Sequence, residues 1–347
     1  MYTMFSKKFM LFGFIIIILI IIIVYRFYKY NKMTYIETFE NIEAAEKEVK
    51  DVQIRHKDIK DQQRIRNLPV KTTKYPIKDY CYKSSLNSAV SGNYVSTDMV
   101  KEVLSKGCRF LDFEVFYIKE DEVFSPRVAM SSDYKYINID TDNSVPLIQI
   151  FNSISTNAFS QISPNNKDPI FIHLRIKSND TNIYDAVAKN IKTSFSTRLY
   201  EGNLTEQTKL EEIMGKIVIV MDKTLRRDYK DLSQMLHSLV NIESGSESLN
   251  QFKINSIMNA QEKLISIDDN NLTTDLEKLQ MVLPNPEKYN TSLLEITHNF
   301  GIQILPAKFY ALDSELEEYE DMFNQNSHGI VPMGSIMFYL QKRETQS

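Results

Sequence analysis

Apolar and polar residues follow two different periods along most of the chain. From about residue 71, short apolar runs predict buried strands, and segments with the spacing of amphipathic helices separate them. The predicted strands are 109–117, 169–176, 216–221, 301–309 and 330–341, and the predicted helices are 97–105, 146–158, 182–195, 229–240 and 313–324. This alternation over about 270 residues fits a (β/α)8 barrel, although composition alone also allows a doubly wound sheet.

The N-terminal segment has a different pattern. Residues 1–8 form a short tail, and residues 9–25 are an uninterrupted apolar run, which as a helix would be about 25 Å long. The run lacks the small residues of a signal-peptide cleavage site, so an uncleaved single-pass transmembrane helix is predicted ahead of a cleaved signal or a buried helix. Basic residues lie on both sides, and their slight excess after the run favours a membrane protein with a cytoplasmic C-terminal barrel.

Residues 26–70 are rich in charge and predict a helical stalk or linker. Ile42, Ala45, Val49, Val52 and Ile59 have the spacing of heptad a and d positions. This pattern allows two interpretations, a solvated helix that holds the C-terminal body away from the membrane, or self-association through the stalk.

Charge and cysteine content exclude some classes of protein. The formal net charge is −4 and no block of Lys and Arg occurs, which argues against a nucleic-acid partner. The only cysteines are Cys81 and Cys108, so a disulfide-stapled scaffold is excluded and a reducing compartment is favoured.

Candidate chemistry centres on the predicted strand 109–117. Asp112 and Glu114 are two residues apart, so both side chains project from the same face of that strand. Upstream lies the sequence Ser-Ser-Leu-Asn-Ser at 84–88, and downstream lies Pro-Ile-Phe-Ile-His-Leu-Arg at 169–175.

Together these segments resemble the catalytic X region of phosphoinositide-specific phospholipase C. That family's pattern runs Ser-Ser-His-Asn-Thr-Tyr, then Gly-Cys-Arg-x-x-Glu-x-Asp, then a second His, then a strand that carries a Glu. Residues 300–304 and 324–332 are similar to the end of the family's Y half. The resemblance implies a TIM barrel of the phospholipase C-like phosphodiesterase type over 71–343, with an X-like half at 71–224, a short connection at 225–245 and a Y-like half at 246–343.

The resemblance also implies roles for particular positions. Asn87, Asp112 and Glu114 match the family's calcium ligands, with the order of the acidic pair exchanged. Leu86 stands at the position of the first catalytic His, and Met130 or Ser132 at that of the second. Arg175 replaces the calcium-binding Glu.

These exchanges remove the chemistry of the family. Leu86 cannot transfer a proton, and Arg175 has no acceptor atom with which to bind a metal. We therefore expect Arg175 to bridge Asp112 and Glu114 in place of calcium, with His173 facing the same interior. No cofactor and no metal are expected at this degenerate site.

Three functions remain open at this stage. The first is a membrane-anchored pseudoenzyme that serves as a binding or structural module, with phosphoinositide head groups as the ligand that the resemblance implies. The second is an active phosphodiesterase that uses Ca²⁺ and a displaced base, His173 or His298. The third is a scaffold that assembles partners through its stalk and barrel surface.

Overall fold

The structure is a computed structural model that describes residues 16–26, 41–57, 65–120, 122–132, 138–258, 278–285, 289–290 and 292–345. The chain divides into two compact units, Met1–Lys47 and Glu48–Ser347. Residues 16–26 are helical, and a helix over residues 41–57, α1, crosses the division between the two units.

The predicted membrane location is wrong. Residues 9–15 of the predicted transmembrane segment lie outside the described residues, and the remainder falls in helical residues 16–26. Across the described ranges, no helix combines the length and the apolar character needed to cross a membrane.

Eleven strands occur in the described part of the second unit. They are β1 Tyr80–Tyr82, β2 Ser84–Ser85, β3 Phe110–Glu120, β4 Val123–Ala129, β5 Val145–Pro146, β6 Ile170–Ile176, β7 Ile217–Asp222, β8 Ile242–Ser244, β9 Asn250–Lys253, β10 Gln280–Leu283 and β11 Ile330–Pro332. Seven form one sheet in the order β5-β4-β3-β6-β7-β8, with β2 paired to β3. The β2–β3, β3–β6, β6–β7 and β7–β8 pairs are parallel, and β4 and β5 are antiparallel additions.

Nine further α-helices have complete described bounds. They are α2 Thr97–Ser105, α3 Leu147–Asn157, α4 Asn182–Phe195, α5 Tyr229–Leu232, α6 Gln234–His237, α7 Ile254–Met258, α8 Leu293–Phe300, α9 Ser314–Asn326 and α10 Met333–Glu344. Short 3-10 helices lie at Val70–Thr72, Ile77–Asp79 and Leu210–Ile213. Most predicted helices are confirmed, but the one predicted at 229–240 divides into α5 and α6, because Ser233 is extended and its side chain caps α6.

The hydrophobic core has two layers because side chains alternate along the parallel strands. Ile172 of β6 and Ile219 of β7 belong to a large cluster that also contains the buried faces of the helices. Phe171 and Val218, one position earlier on the same strands, belong to a second cluster on the other face. Strands buried on both faces read as continuous apolar runs, which is why β6 and β7 were predictable.

The strands of the described residues do not close into the predicted barrel, although the α/β class is confirmed. The strand pairs β1–β11 and β9–β10 form two small separate sheets. In the predicted strand 301–309, Ile304 and Ala307 make only isolated bridges. Pro306 lies between them and has no N–H to contribute to a ladder, which accounts for the interruption.

Another predicted strand, 330–341, is mostly helical. Only Ile330–Pro332 is extended, and α10 follows it directly. The buried residues Met333, Ile336, Met337 and Leu340 have helical spacing, which outweighs the β-like composition of the segment.

Helix α1 lies within the predicted stalk, and its C-terminal part packs into the second unit. Val49 and Val52 are buried in the large cluster. His56 is also buried, with Nδ1 2.8 Å from Glu102 Oε1 and Nε2 3.0 Å from the Phe309 carbonyl oxygen. The a and d positions at Val49 and Val52 are therefore covered by the domain, so this part of the seam is not exposed for self-association.

Candidate functional site

The cluster predicted from the sequence lies where the first half of β3 runs beside the carboxyl end of the parallel strand β6. In the β3–β6 register, Asp112 is paired with His173, and Glu114 with Arg175. Asn87 follows β2, with a positive φ of 45° that Asn tolerates better than most residues. Its backbone N–H donates to Asp112 Oδ2 at 3.1 Å, which fixes the turn beside the carboxylate.

The guanidinium of Arg175 joins all three of the predicted calcium-ligand residues. Its Nε donates to Asp112 Oδ1 at 2.8 Å, and its Nη2 donates to Asp112 Oδ2 at 2.5 Å. Nη1 donates to Glu114 Oε1 at 2.6 Å, and Nη2 also donates to Asn87 Oδ1 at 2.9 Å. The contact with Asp112 is bidentate, which is the strong form of an arginine–carboxylate pair.

Because Asp112 and Arg175 are buried, the charge of each side chain strongly affects the pKa of the other. The Asp112 side chain is fully buried, and the Arg175 side chain is only 11% exposed. Burial by itself would raise the pKa of Asp112, but the charge of Arg175 and the hydrogen bonds from His173 and Arg175 hold it well below its ordinary value of 3.8. For Arg175, burial acts to lower the pKa, and the two carboxylates more than reverse that effect, so its pKa is raised.

Lys177 completes the ion cluster, and the sequence analysis missed it. Its Nζ lies 3.0 Å from Glu114 Oε2 and donates to the Ser131 carbonyl oxygen at 2.9 Å. Burial lowers the pKa of Lys177, and Glu114 opposes that shift. Lys177 follows His173 and Arg175 at the period of two residues that marks one face of a strand, so this signal was present in the sequence.

His173 is brought to the cluster but is fully engaged within it. Its Nδ1 lies 2.8 Å from Asp112 Oδ1, and its Nε2 lies 2.8 Å from Ser244 Oγ. In this arrangement Nδ1 can donate to the carboxylate while the serine hydroxyl bonds to Nε2. His173 and Ser244 are both fully buried, so the arrangement orients Asp112 and has no exposed face.

His298 is not brought to the site. It lies on α8, and its Nδ1 is 3.1 Å from Glu344 Oε1 at the end of α10. The residues that line the cleft above the ion cluster do not include it.

That cleft has a cavity volume of about 80 Å³ and is open to solvent. Leu86 and Met130, at the two histidine positions implied by the resemblance, both line it. Tyr310 lies beside them, and its hydroxyl donates to the Met130 sulfur at 3.7 Å. This part of the cleft therefore has an apolar lining.

Asp222 is a further lining residue that the sequence analysis missed. It ends β7, one position after the Leu174–Met221 pair, which places it beside Arg175 in the sheet register. Its Oδ1 accepts from the Thr224 backbone N–H at 2.7 Å and from the Thr224 hydroxyl at 2.6 Å. In the sequence, the signal for this residue is a carboxylate at the end of an apolar run that predicts a strand.

The side chains present do not fit a bound calcium ion. Both oxygens of Asp112, one oxygen of Glu114 and the Asn87 amide oxygen already accept hydrogen bonds from Arg175. A guanidinium donates only, and its positive charge would repel a cation from the same oxygens. Within the described ranges, no group of three or more His, Cys, Asp or Glu side chains is arranged to hold a metal.

Comparisons with known proteins locate this site within a family pattern. Residues 73–223 match the family described as phosphatidylinositol-specific phospholipase C, X domain. This range contains Asn87, Asp112, Glu114 and Arg175. No curated protein matches the chain.

Solved structures share the fold at low sequence identity. The chain is similar to PLC21 of L. pealei, with a TM-score of 0.57, 15% identity and coverage of 75% of this chain and 37% of that one. For PLC21 of S. officinalis the TM-score is 0.55, with 14% identity and coverage of 75% and 37%. A calcium-dependent phosphoinositol-specific phospholipase C from Pseudomonas sp has a TM-score of 0.51 and 10% identity, with 79% of this chain and 99% of that one covered.

The chain thus spans just over a third of the length of the two PLC21 proteins, while it covers almost all of the bacterial enzyme. At these identities the structural likeness establishes the fold alone. The resemblance stated from the sequence is confirmed: the chain contains a match to the phosphatidylinositol-specific phospholipase C X domain and has an α/β fold of the phospholipase C-like phosphodiesterase type.

Proposed function

We propose that this chain is a catalytically silent relative of phospholipase C, whose cleft binds a ligand without cleaving it. The observation that carries the proposal is the position of Arg175. Its guanidinium accounts for the four oxygens of Asp112, Glu114 and Asn87 that the family resemblance assigns to calcium. Without the metal, the chain has no Lewis acid at the place where the family's reaction needs one.

The side chains at the two histidine positions support the same proposal. Leu86 and Met130 line the cleft but carry no group that can transfer a proton. General acid–base catalysis by one side chain contributes about 10²–10⁴-fold to a rate. Loss of both groups together with the metal is expected to reduce turnover to the background rate.

An active phosphodiesterase with a displaced base is the alternative, and the geometry favours it less. His173 already uses both ring nitrogens and is buried, and His298 pairs with Glu344 and does not line the cleft. A base at either position would require a rearrangement of the chain around it.

The ligand that the resemblance implies is a phosphoinositide head group, which makes it the reference ligand for any binding experiment. A scaffold function through the stalk has less support, because Val49 and Val52 are covered by the domain.

A hydrolysis assay tests the proposal directly. Purified full-length chain is incubated with phosphatidylinositol in mixed micelles, with 1 mM Ca²⁺ or with a chelator, and released inositol phosphate is measured. We expect no release above buffer in either condition, whereas a calcium-dependent phospholipase C assayed in parallel is active. Calcium-dependent release that Asp112→Ala abolishes would refute the proposal, because the Asp112→Ala control excludes a contaminating enzyme.

A further inference from the structure

The cleft lining combines an apolar part with polar and charged residues. Six of its lining residues are apolar or aromatic: Leu86, Met130, Leu225, Leu283, Pro284 and Tyr310. They come from five separate parts of the chain, so the apolar lining is a property of the assembled fold and not of one loop. Apolar surface of this kind stabilises a ligand in proportion to the apolar area that it covers.

Arg175 and Lys177, the two cations at the base of the cleft, are already paired with carboxylates. Arg175 uses four of its five N–H groups on Asp112, Glu114 and Asn87. Lys177 is bonded to Glu114. A phosphate group that bound Arg175 or Lys177 would have to take that cation away from a buried carboxylate, and the carboxylate would then be left uncompensated at considerable cost.

The charges that line the cleft also disfavour a phosphorylated ligand. Three carboxylates line the cleft, at Glu114, Asp140 and Asp222, against the cations of Arg175, Lys177 and Lys253. Asp112, behind Arg175, adds a fourth carboxylate. The cleft therefore has no excess of positive charge that would attract a phosphorylated ligand.

One polar group in the apolar lining is weakly satisfied. Among the described residues, the hydrogen bond that the Tyr310 hydroxyl makes goes to the Met130 thioether, a weak acceptor, at 3.7 Å. Burial, and after it the charge of Glu114, raises the pKa of Tyr310, so this hydroxyl remains a donor. An oxygen atom on a ligand would be a better acceptor for it than the sulfur.

We propose that the cleft binds an uncharged, mainly apolar ligand with a carbonyl oxygen that accepts a hydrogen bond from Tyr310. This inference rests on the proposed silent function, since it treats Arg175 and Lys177 as permanently paired. Such a ligand lacks both the negative charge and the polarity of an inositol phosphate. Leu86 and Met130 thus do more than remove catalysis, because they supply part of the binding surface.

Ligand-observed saturation-transfer NMR with matched six-membered rings tests the proposal on the full-length chain. The probes are cyclohexanone, myo-inositol and myo-inositol 1-phosphate, each titrated to obtain a dissociation constant. We expect saturation transfer to cyclohexanone, and none to the two inositol probes at the same concentration.

Two variants locate the binding. Tyr310→Phe keeps the ring and removes the donor, so the affinity for cyclohexanone should fall about 2–10-fold, as for one net hydrogen bond. Tyr75→Phe, at a tyrosine that is 56% exposed and absent from the cleft lining, should leave it unchanged. Leu225→Glu adds a charge to the apolar lining and should abolish binding, which provides a second readout if Tyr310→Phe folds poorly.

Three results would overturn the inference. One is binding of myo-inositol 1-phosphate with no binding of cyclohexanone, which would leave the silent function intact. Another is an affinity for cyclohexanone that neither Tyr310→Phe nor Leu225→Glu alters. The third is the absence of saturation transfer to cyclohexanone. Failure of the silent function itself would be seen separately, as calcium-dependent release of inositol phosphate.

Discussion

Removal of the guanidinium by Arg175→Ala is expected to destabilise the protein strongly. The substitution leaves Asp112, which is fully buried, and Glu114, which is 4% exposed, without their shared cation. Removal of one partner from a buried ion pair costs about 3–5 kcal/mol, chiefly because the surviving charge is desolvated and uncompensated. Lys177 remains bonded to Glu114, so most of the cost arises at Asp112.

The assay is thermal unfolding followed by circular dichroism at pH 7. For a domain of this size, about 2 °C of melting temperature corresponds to each kcal/mol, so the expected decrease is about 6–10 °C. Arg343→Ala is a matched control, because Arg343 pairs with Glu318 at the surface and both side chains are 40% exposed. Exposed pairs contribute less than about 1 kcal/mol, so this control should shift the melting temperature by no more than about 2 °C.

A second variant separates charge from packing. Arg175→Met combined with Asp112→Asn removes the cation and the deepest carboxylate together, and it should recover part of the stability lost in Arg175→Ala. Equal effects of Arg175→Ala and Arg343→Ala would refute the reasoning, because they would mean that the Asp112 carboxylate does not depend on the guanidinium.

Two further predictions concern acid stability and helix α1. Because the folded-state pKa of Asp112 is depressed below its ordinary 3.8, the contribution of this carboxylate to stability is present above that pH and is lost as the pH falls further. Asp112→Asn should therefore flatten the decline of melting temperature below about pH 4. A pH profile of melting temperature equal to that of the wild type would contradict the pairing. Val52→Ala, at a fully buried position of α1, should lower the free energy of unfolding in urea by about 1–3 kcal/mol. Ile54→Ala, at a position 58% exposed on the same helix, should lower it little. Equal effects of the two substitutions would mean that α1 does not pack on the domain in solution.

Local sequence patterns were sufficient for the central part of the site. Asp112 and Glu114 at a spacing of two residues predicted a shared face, and the apolar run at 169–176 predicted a strand that carries His173 and Arg175. Pairing of neighbouring parallel strands brings such residues together, so the cluster followed from strand assignment and the resemblance. Lys177 could have been predicted too, because it lies two residues after Arg175 on the same face of the strand.

Other features depend on contacts between distant segments, which no local pattern records. Ser244 reaches His173 across 71 positions of sequence, and the pairing of β7 with β8 brings it there. The errors at 301–309 and 330–341 have a different, local cause. There, a proline and a helical stripe of buried methionines outweighed a β-like composition.

Calcium titration by isothermal calorimetry is the most direct test of the claim that Arg175 stands in place of the metal. The wild-type chain should show no binding heat with CaCl₂ up to 5 mM. Arg175→Glu places a third carboxylate beside Asp112, Glu114 and Asn87, so it should bind calcium with a dissociation constant of about 0.1–1 mM. Calcium binding by the wild type with an affinity equal to that of Arg175→Glu would contradict the account.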